Sequence, residues 1–269
     1  MRYLTLILFF PFLYSCDEAV PVASGRQSIS YELDTLSNEA KLENGETYFN
    51  FFIEELKINS EGDSTVLFIN NRIQKNLLEA NLSFAENPQS YQALFDSICA
   101  EYQRLLSSDY PPIGPWDLSQ SIRVIHNDNG LFSYQSTHSA FTGGAHPNQY
   151  SSTQLFRLRD GALLNLDSIV LEGQMADFKQ LGESIFRNEY HIAEGDRLND
   201  ADFWFDENEF RFPENFTLDS TGLHFHYNAY DIAPYAMGHF FIDIPPRYLN
   251  DYLKPEYIIN PIPAKSPES

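Results

Sequence analysis

Alternating apolar and polar residues around tight-turn residues constrain this chain most. Ser119 to His126 alternates, Asn127-Asp128-Asn129-Gly130 interrupts it, and Leu131 to Thr137 alternates again. Asn-Gly between two such runs demands a β-hairpin, because both turn positions need positive φ. Ser152 to Leu158 then reaches an Asp160-Gly161 turn and a short strand, Leu163 to Leu166. Phe216 to Leu218 and Gly222 to Tyr227 form a further hairpin, and His239 to Ile244 another strand. Ser28 to Leu33 alternates like a strand. Thr47 to Ile58, rich in Phe and Ile, reads as strand better than helix.

Helical spacing interrupts this pattern. Tyr91, Leu94, Phe95, Ile98, Tyr102 and Leu105 make one apolar stripe on a helix from about Asn87 to Leu106. Tyr110-Pro111-Pro112 stops it. Met175, Phe178, Leu181 and Ile185 mark a second helix over Gln174 to Glu189, and a short one starts near Ile69 to Ile73. Pro245-Pro246 allows another short helix through Tyr248, Leu249 and Leu253. The expected fold is α+β, with mostly antiparallel sheets, two main packing helices and two lobes.

The start of the chain gives its address. Arg2, the apolar run Leu4 to Leu13, and Ser15 directly before Cys16 make a lipoprotein export signal, too short to span a bilayer. The expected organisation is a signal peptide at 1–15, a tether at 16–27 with lipid on Cys16, an N-terminal α+β lobe at 28–155, a C-terminal lobe at 156–254 and a flexible tail at 255–269. The address is the cell envelope, lipid-anchored, with outer membrane or cell surface favoured. Cys99, the only other cysteine, then has no disulfide partner and reads as an inert thiol.

The 269 residues carry a formal charge of −21. Such a surface repels nucleic acid and anionic headgroups, which excludes both as partners beyond the lipid anchor itself. It attracts cationic proteins, although solubility or a salty habitat accounts for the charge equally well.

Three segments are candidates for chemistry. Thr142-Gly143-Gly144-Ala145-His146-Pro147-Asn148 reads as a binding loop presenting Thr142, Gly143, Gly144, His146 and Asn148, or as a plain connection between lobes. Tyr227, Tyr230 and Tyr235 suit a half-polar platform for sugar or protein, or a place in the core. His224 and His226, two apart on a strand, share one face opposite Leu223, Phe225 and Tyr227. Given a third ligand such as His146 or a carboxylate they would hold zinc, but no HExxH or CxxC accompanies them, so no metal or other cofactor is expected. Asp200, Asp202, Asp206 and Glu207 around Phe203 and Trp204 resemble a glycosidase pair only weakly in a chain with 38 acids. Nor is there a G-x-S-x-G elbow.

Thr142 to His146, the Asp160-Gly161 turn and Gly222-Leu223 through Tyr230-Asp231-Ile232-Ala233-Pro234-Tyr235-Ala236-Met237-Gly238 resemble, in that order, the extracellular domain family of RsiV and PdaC. That family includes a lysozyme-recognising anti-sigma factor and a peptidoglycan deacetylase carrying the domain beside its catalytic one. The likeness spans roughly Ile29 to Leu253. The paired-aspartate and H-S-x-x-H motifs of the deacetylase chemistry are not found. The resemblance therefore implies a non-catalytic envelope binder of a cationic wall hydrolase such as lysozyme, or of wall glycan. The competing expectation is a glycan hydrolase or metal-dependent enzyme using His224, His226 and nearby carboxylates.

Overall fold

The computed structural model describes residues 28–60, 62–80 and 88–258. The expected signal peptide, the expected tether and Cys16 lie outside them.

A six-stranded sheet comprises β1 (Tyr31–Lys41), β2 (Thr47–Ile58), β3 (Trp116–Asp128), β4 (Leu131–Phe141), β5 (Asn148–Arg157) and β6 (Ala162–Leu163), in that spatial order. Neighbours are antiparallel except β2 and β3, which run parallel. A parallel pair needs a long crossover. Two helices supply it, α1 (Ser64–Glu79) and α2 (Tyr91–Leu106).

Strand alternation decides what each face receives. Phe49 and Phe51 sit beside Trp116 and Leu118 and meet Leu94, Ile98 and Tyr102 of α2. Ile122, Phe132, Tyr134 and Phe156 meet Val66, Ile69, Ile73 and Leu77 of α1. Helix α1 is a full 16 residues, not the short helix expected near Ile69. Its polar interior (Asn70, Asn71, Gln74, Asn76) masks its apolar stripe, while Asp63 caps it by accepting from the Thr65 and Val66 amides. Helix α2 begins at Tyr91 under a Ser90 cap; the expected start at Asn87 lies outside the described residues.

The opposite face of β3 to β5 meets the second lobe. There α3 (Leu166–Ile169) and α4 (Met175–Glu189) precede an antiparallel meander of β7 (Phe216–Asp219), β8 (Gly222–Tyr227) and β9 (Phe240–Ile244). Phe178 and Phe186 of α4 join Leu218, Leu223, Phe225, Tyr227 and Ile242 in the largest core. Gly182 lets α4 approach closely, since a Cβ there would stand 2.2 Å from the Phe212 ring. The architecture is α+β in two lobes, as expected.

Local boundaries differ from expectation. The first strand starts at Tyr31 and runs to Lys41, with Ile29 buried ahead of it. The expected strand at Leu163 to Leu166 shrinks to Ala162–Leu163, because Asn165 and Ser168 form a capping box that starts α3. The helix after Pro245 is one 3-10 turn, Pro246–Tyr248. Of the expected flexible tail, Pro255–Tyr257 is a 3-10 turn with Tyr257 buried, its hydroxyl accepting from Arg157. Residues 259–269 lie outside the described residues.

Candidate functional site

The loop joining β4 to β5 and the loop between β8 and β9 meet at one end of the molecule. The first is Thr142 to Pro147, fully exposed, with Gly143 and Gly144 both at positive φ. Its His146 ring stacks on Tyr235 at 3.9 Å and 8° between planes. Tyr235 lies 5.4 Å from Tyr230 in turn. His146 and Tyr230 are exposed and Tyr235 half-buried, so three rings form an open aromatic platform. The His146 Nδ1 stands 2.8 Å from the Pro147 carbonyl, which fixes the ring's tilt.

Buried amides hold the two loops in register. Asn228, just ahead of Tyr230, accepts from the Ser151 amide at 2.7 Å and donates to the Ser151 carbonyl at 2.9 Å. Asn215 accepts from the Thr153 amide at 3.0 Å and donates to the same Ser151 carbonyl. Two asparagines of one lobe thus act as strand partners for β5 of the other. Asp231 accepts from the Asn228 amide, and Tyr230 takes φ 73° to turn its ring outward.

Tyr227 does not join the platform. It is fully buried among Phe186 and Phe205, with its hydroxyl donating to the Arg211 carbonyl, and burial pushes its pKa up. Thr142, Gly143, Gly144 and Asn148 are exposed along the loop that carries His146.

The acids flagged around Trp204 also belong to this end. The Trp204 amide donates to the Ile232 carbonyl at 2.7 Å, which pins their segment to the platform loop. Asp200, Asp202, Asp206 and Glu207 are all exposed there. Trp204 itself is half exposed.

His224 and His226 project from one face of β8, as alternation requires, but toward different partners. His224 Nδ1 is 2.6 Å from Asp243 Oδ1, and its Nε2 is 2.9 Å from Thr221 Oγ1 and 3.3 Å from Asp219 Oδ1. Burial pushes Asp219 up, but hydrogen bonds from the Thr221 hydroxyl and amide, with His224 beside them, leave it below the usual carboxylate range. His226 Nε2 instead meets His239 Nδ1 at 2.8 Å, and its ring stacks on Phe241. Burial, with His239 adding to it, brings His226 down to about 4. Both histidines line a cleft of about 240 Å³ that also takes in Arg123, Gln135 and Thr153 of the first sheet. His146 stands on the platform with Tyr235 and is not a third ligand. Among the described residues, no group of three or more His, Cys, Asp or Glu is placed to hold a metal ion. Sequence reasoning missed His239, Asn215 and Asn228, whose partners are remote in the chain and leave no local signal.

Fold and site define a two-lobed α+β domain pair with a cross-lobe aromatic platform. A family model described as "Deacetylase PdaC" matches residues 14–149, just over half of the chain, and one described as "Protein of unknown function (DUF3298)" matches residues 167–246. The chain belongs to the PdaC family, as its motifs implied. A DUF3298-family protein from Bacteroides fragilis shares the fold at TM-score 0.68 and 20% identity, over 90% of this chain and all of that one. A DUF3298-family protein from Pseudomonas aeruginosa does so at TM-score 0.62 and 22% identity, over 86% and 97%. No curated protein sequence matches the chain.

The family match corrects one expectation. The sequence reading made this a non-catalytic protein, and a match to a family described as a deacetylase contradicts that reading. Two missing motifs were too narrow a basis for it, since a motif search tests only the arrangements it specifies. No helix among the described residues is long and apolar enough to cross a membrane.

Proposed function

We propose that this chain is a cell-envelope protein, anchored by lipid on Cys16, that recognises a cationic wall hydrolase of the lysozyme type at its aromatic platform. The observation that carries this reading is the exposed His146–Tyr235–Tyr230 stack, assembled from both lobes. Aromatic rings with polar tips favour protein recognition. The exposed acids on the segment tied to Ile232, with a chain charge of −21, would steer a basic partner toward it. Position supports the reading as well. Ile29 is clamped by Asn127 at one end of β3, with bonds of 2.9 and 2.8 Å, while the platform loop leaves the sheet at the other end. Thirteen residues of β3 separate the two by about 40 Å, so a chain entering from the membrane would present the platform outward. The proposed lobe boundary near residue 155 has one family match on each side.

A second ligand, wall glycan, is favoured by the flat faces of Tyr230 and Tyr235, which suit stacking on a sugar ring. Binding of the full chain, held in detergent, to a cationic lysozyme at low and near-physiological salt tests the first reading. Saturable binding that survives the higher salt supports it. Binding that vanishes with salt is charge attraction alone and moves the assignment to glycan.

A further inference from the structure

The His226–His239 contact has no part in the platform. His226 turns away from the core on β8, and His239 lies in the turn just ahead of β9. Two imidazole nitrogens 2.8 Å apart share one proton, so one of them offers a lone pair toward the other. The His226 ring is held from two sides: Phe241 stacks on it at 4.8 Å, and the Gln135 amide stands 3.4 Å from its Nδ1. Both histidines are half-buried and open to the surface on one side.

We propose that His226 Nε2 and His239 Nδ1 form a two-nitrogen site for a borderline divalent ion such as Zn²⁺, which replaces their shared proton. Imidazole binds Zn²⁺ at about 2.0–2.1 Å in tetrahedral geometry, which asks for nitrogens about 3.3 Å apart. In the hydrogen-bonded pair, with ring centroids 4.9 Å apart, the two nitrogens aim almost at each other. Binding therefore opens them by about half an ångström and turns the lone pairs by about 35° each toward a common point. That movement falls mostly on His239, because Phe241 and Gln135 hold His226. Water fills the remaining positions, since among the described residues no third His, Cys, Asp or Glu joins the group. Gln135 suits the bound state, because its carboxamide oxygen can turn to accept from His226 Nδ1–H and fix the tautomer that leaves Nε2 free. His224 is no competitor, being engaged by Asp243, Thr221 and Asp219. The acidic chain also raises the local concentration of cations. Zn²⁺ here would tie the turn that follows Tyr235 to the sheet beside it.

The test is titration of the full chain in detergent with Zn²⁺ against a chromophoric chelator at neutral pH, beside His226→Asn, His239→Asn and the control His224→Asn. The expected result is stoichiometric binding that weakens by at least about tenfold in the first two variants and is unchanged in the control. Sub-stoichiometric binding to the unmodified chain, or equal binding in all four proteins, overturns the site. A second measurement does not depend on the variants folding. In the histidine NMR spectrum of the unmodified chain, Zn²⁺ must move the resonances of His226 and His239. Movement confined to other histidines overturns the proposal as well. Neither result bears on lysozyme binding at the platform.

Discussion

The two lobes touch in two ways that differ in kind. At the seam, Asn215 and Asn228 are spent on backbone groups of β5, and Asn228 is buried. At the platform, His146 and Tyr235 meet ring to ring with His146 open to water. A buried amide with two backbone partners is costly to lose, because the groups left behind are dry and unpaired. A ring pair open to water on one side contributes little to stability. A buried polar seam and an accessible aromatic surface therefore lie along one interface, a few residues apart in each chain segment.

The largest effect should come from the seam itself. Asn228→Ala leaves the Ser151 amide without its acceptor and should destabilise the fold by about 2–3 kcal/mol, read as a lower urea midpoint. A loss below about 0.5 kcal/mol would mean that the seam is no stiffer than the platform.

A second buried polar group should weaken the first lobe in acid. His138 is 4% exposed, stacks on Tyr150, and has no hydrogen-bond partner at Nδ1. Burial brings its pKa down from 6.5 to about 4, so the folded protein holds it neutral while the unfolded chain takes up a proton. Its contribution is complete above about pH 6.5 and is lost as pH falls from there toward 4, amounting to about 2–3 kcal/mol. Urea midpoints near pH 7.5 and pH 5 should show this, and His138→Phe should reduce the difference, with His226, also brought down to about 4, keeping a share of it. An unchanged pH dependence in that variant would assign the acid lability elsewhere.

Gly182→Ala probes packing in the second lobe alone. Its new Cβ would fall on the Phe212 ring, and the expected loss is about 1–3 kcal/mol by thermal or urea melting, with lysozyme binding retained by the folded fraction. Loss of affinity in that folded fraction would show that the platform depends on the second core as well as on the seam.

The smallest stability effect belongs to the platform. His146→Ala with Tyr235→Ala should move stability by no more than about 0.5 kcal/mol while abolishing specific lysozyme binding. A collapsed fold would make these rings structural and remove the contrast with the seam.

Much of the local structure was legible. Asn129 and Gly130 both take positive φ, as the hairpin reading demands, and β7 and β8 pair around the Asp219 to Gly222 turn. Helix α4 follows its apolar spacing. Helix α1 was not legible in full, because its exposed turns carry asparagine and glutamine that obscure the period. For the candidate site, loop glycines and a tyrosine-rich stretch marked two segments that the structure brings together. Nothing in the spacing said which tyrosine faces out, and Tyr227 goes to the core while Tyr230 does not.

The sequence alone determined the periodic elements, the hairpin turns and the acidic surface, because these depend on side chains close together along the chain. Only the tertiary structure decided that β2 and β3 run parallel, that His146 meets Tyr235 and that His226 meets His239. Those partners lie 89 and 13 residues apart or, for the strands, across a two-helix crossover. Such contacts follow from how buried faces stack in three dimensions, which spacing along the chain does not encode.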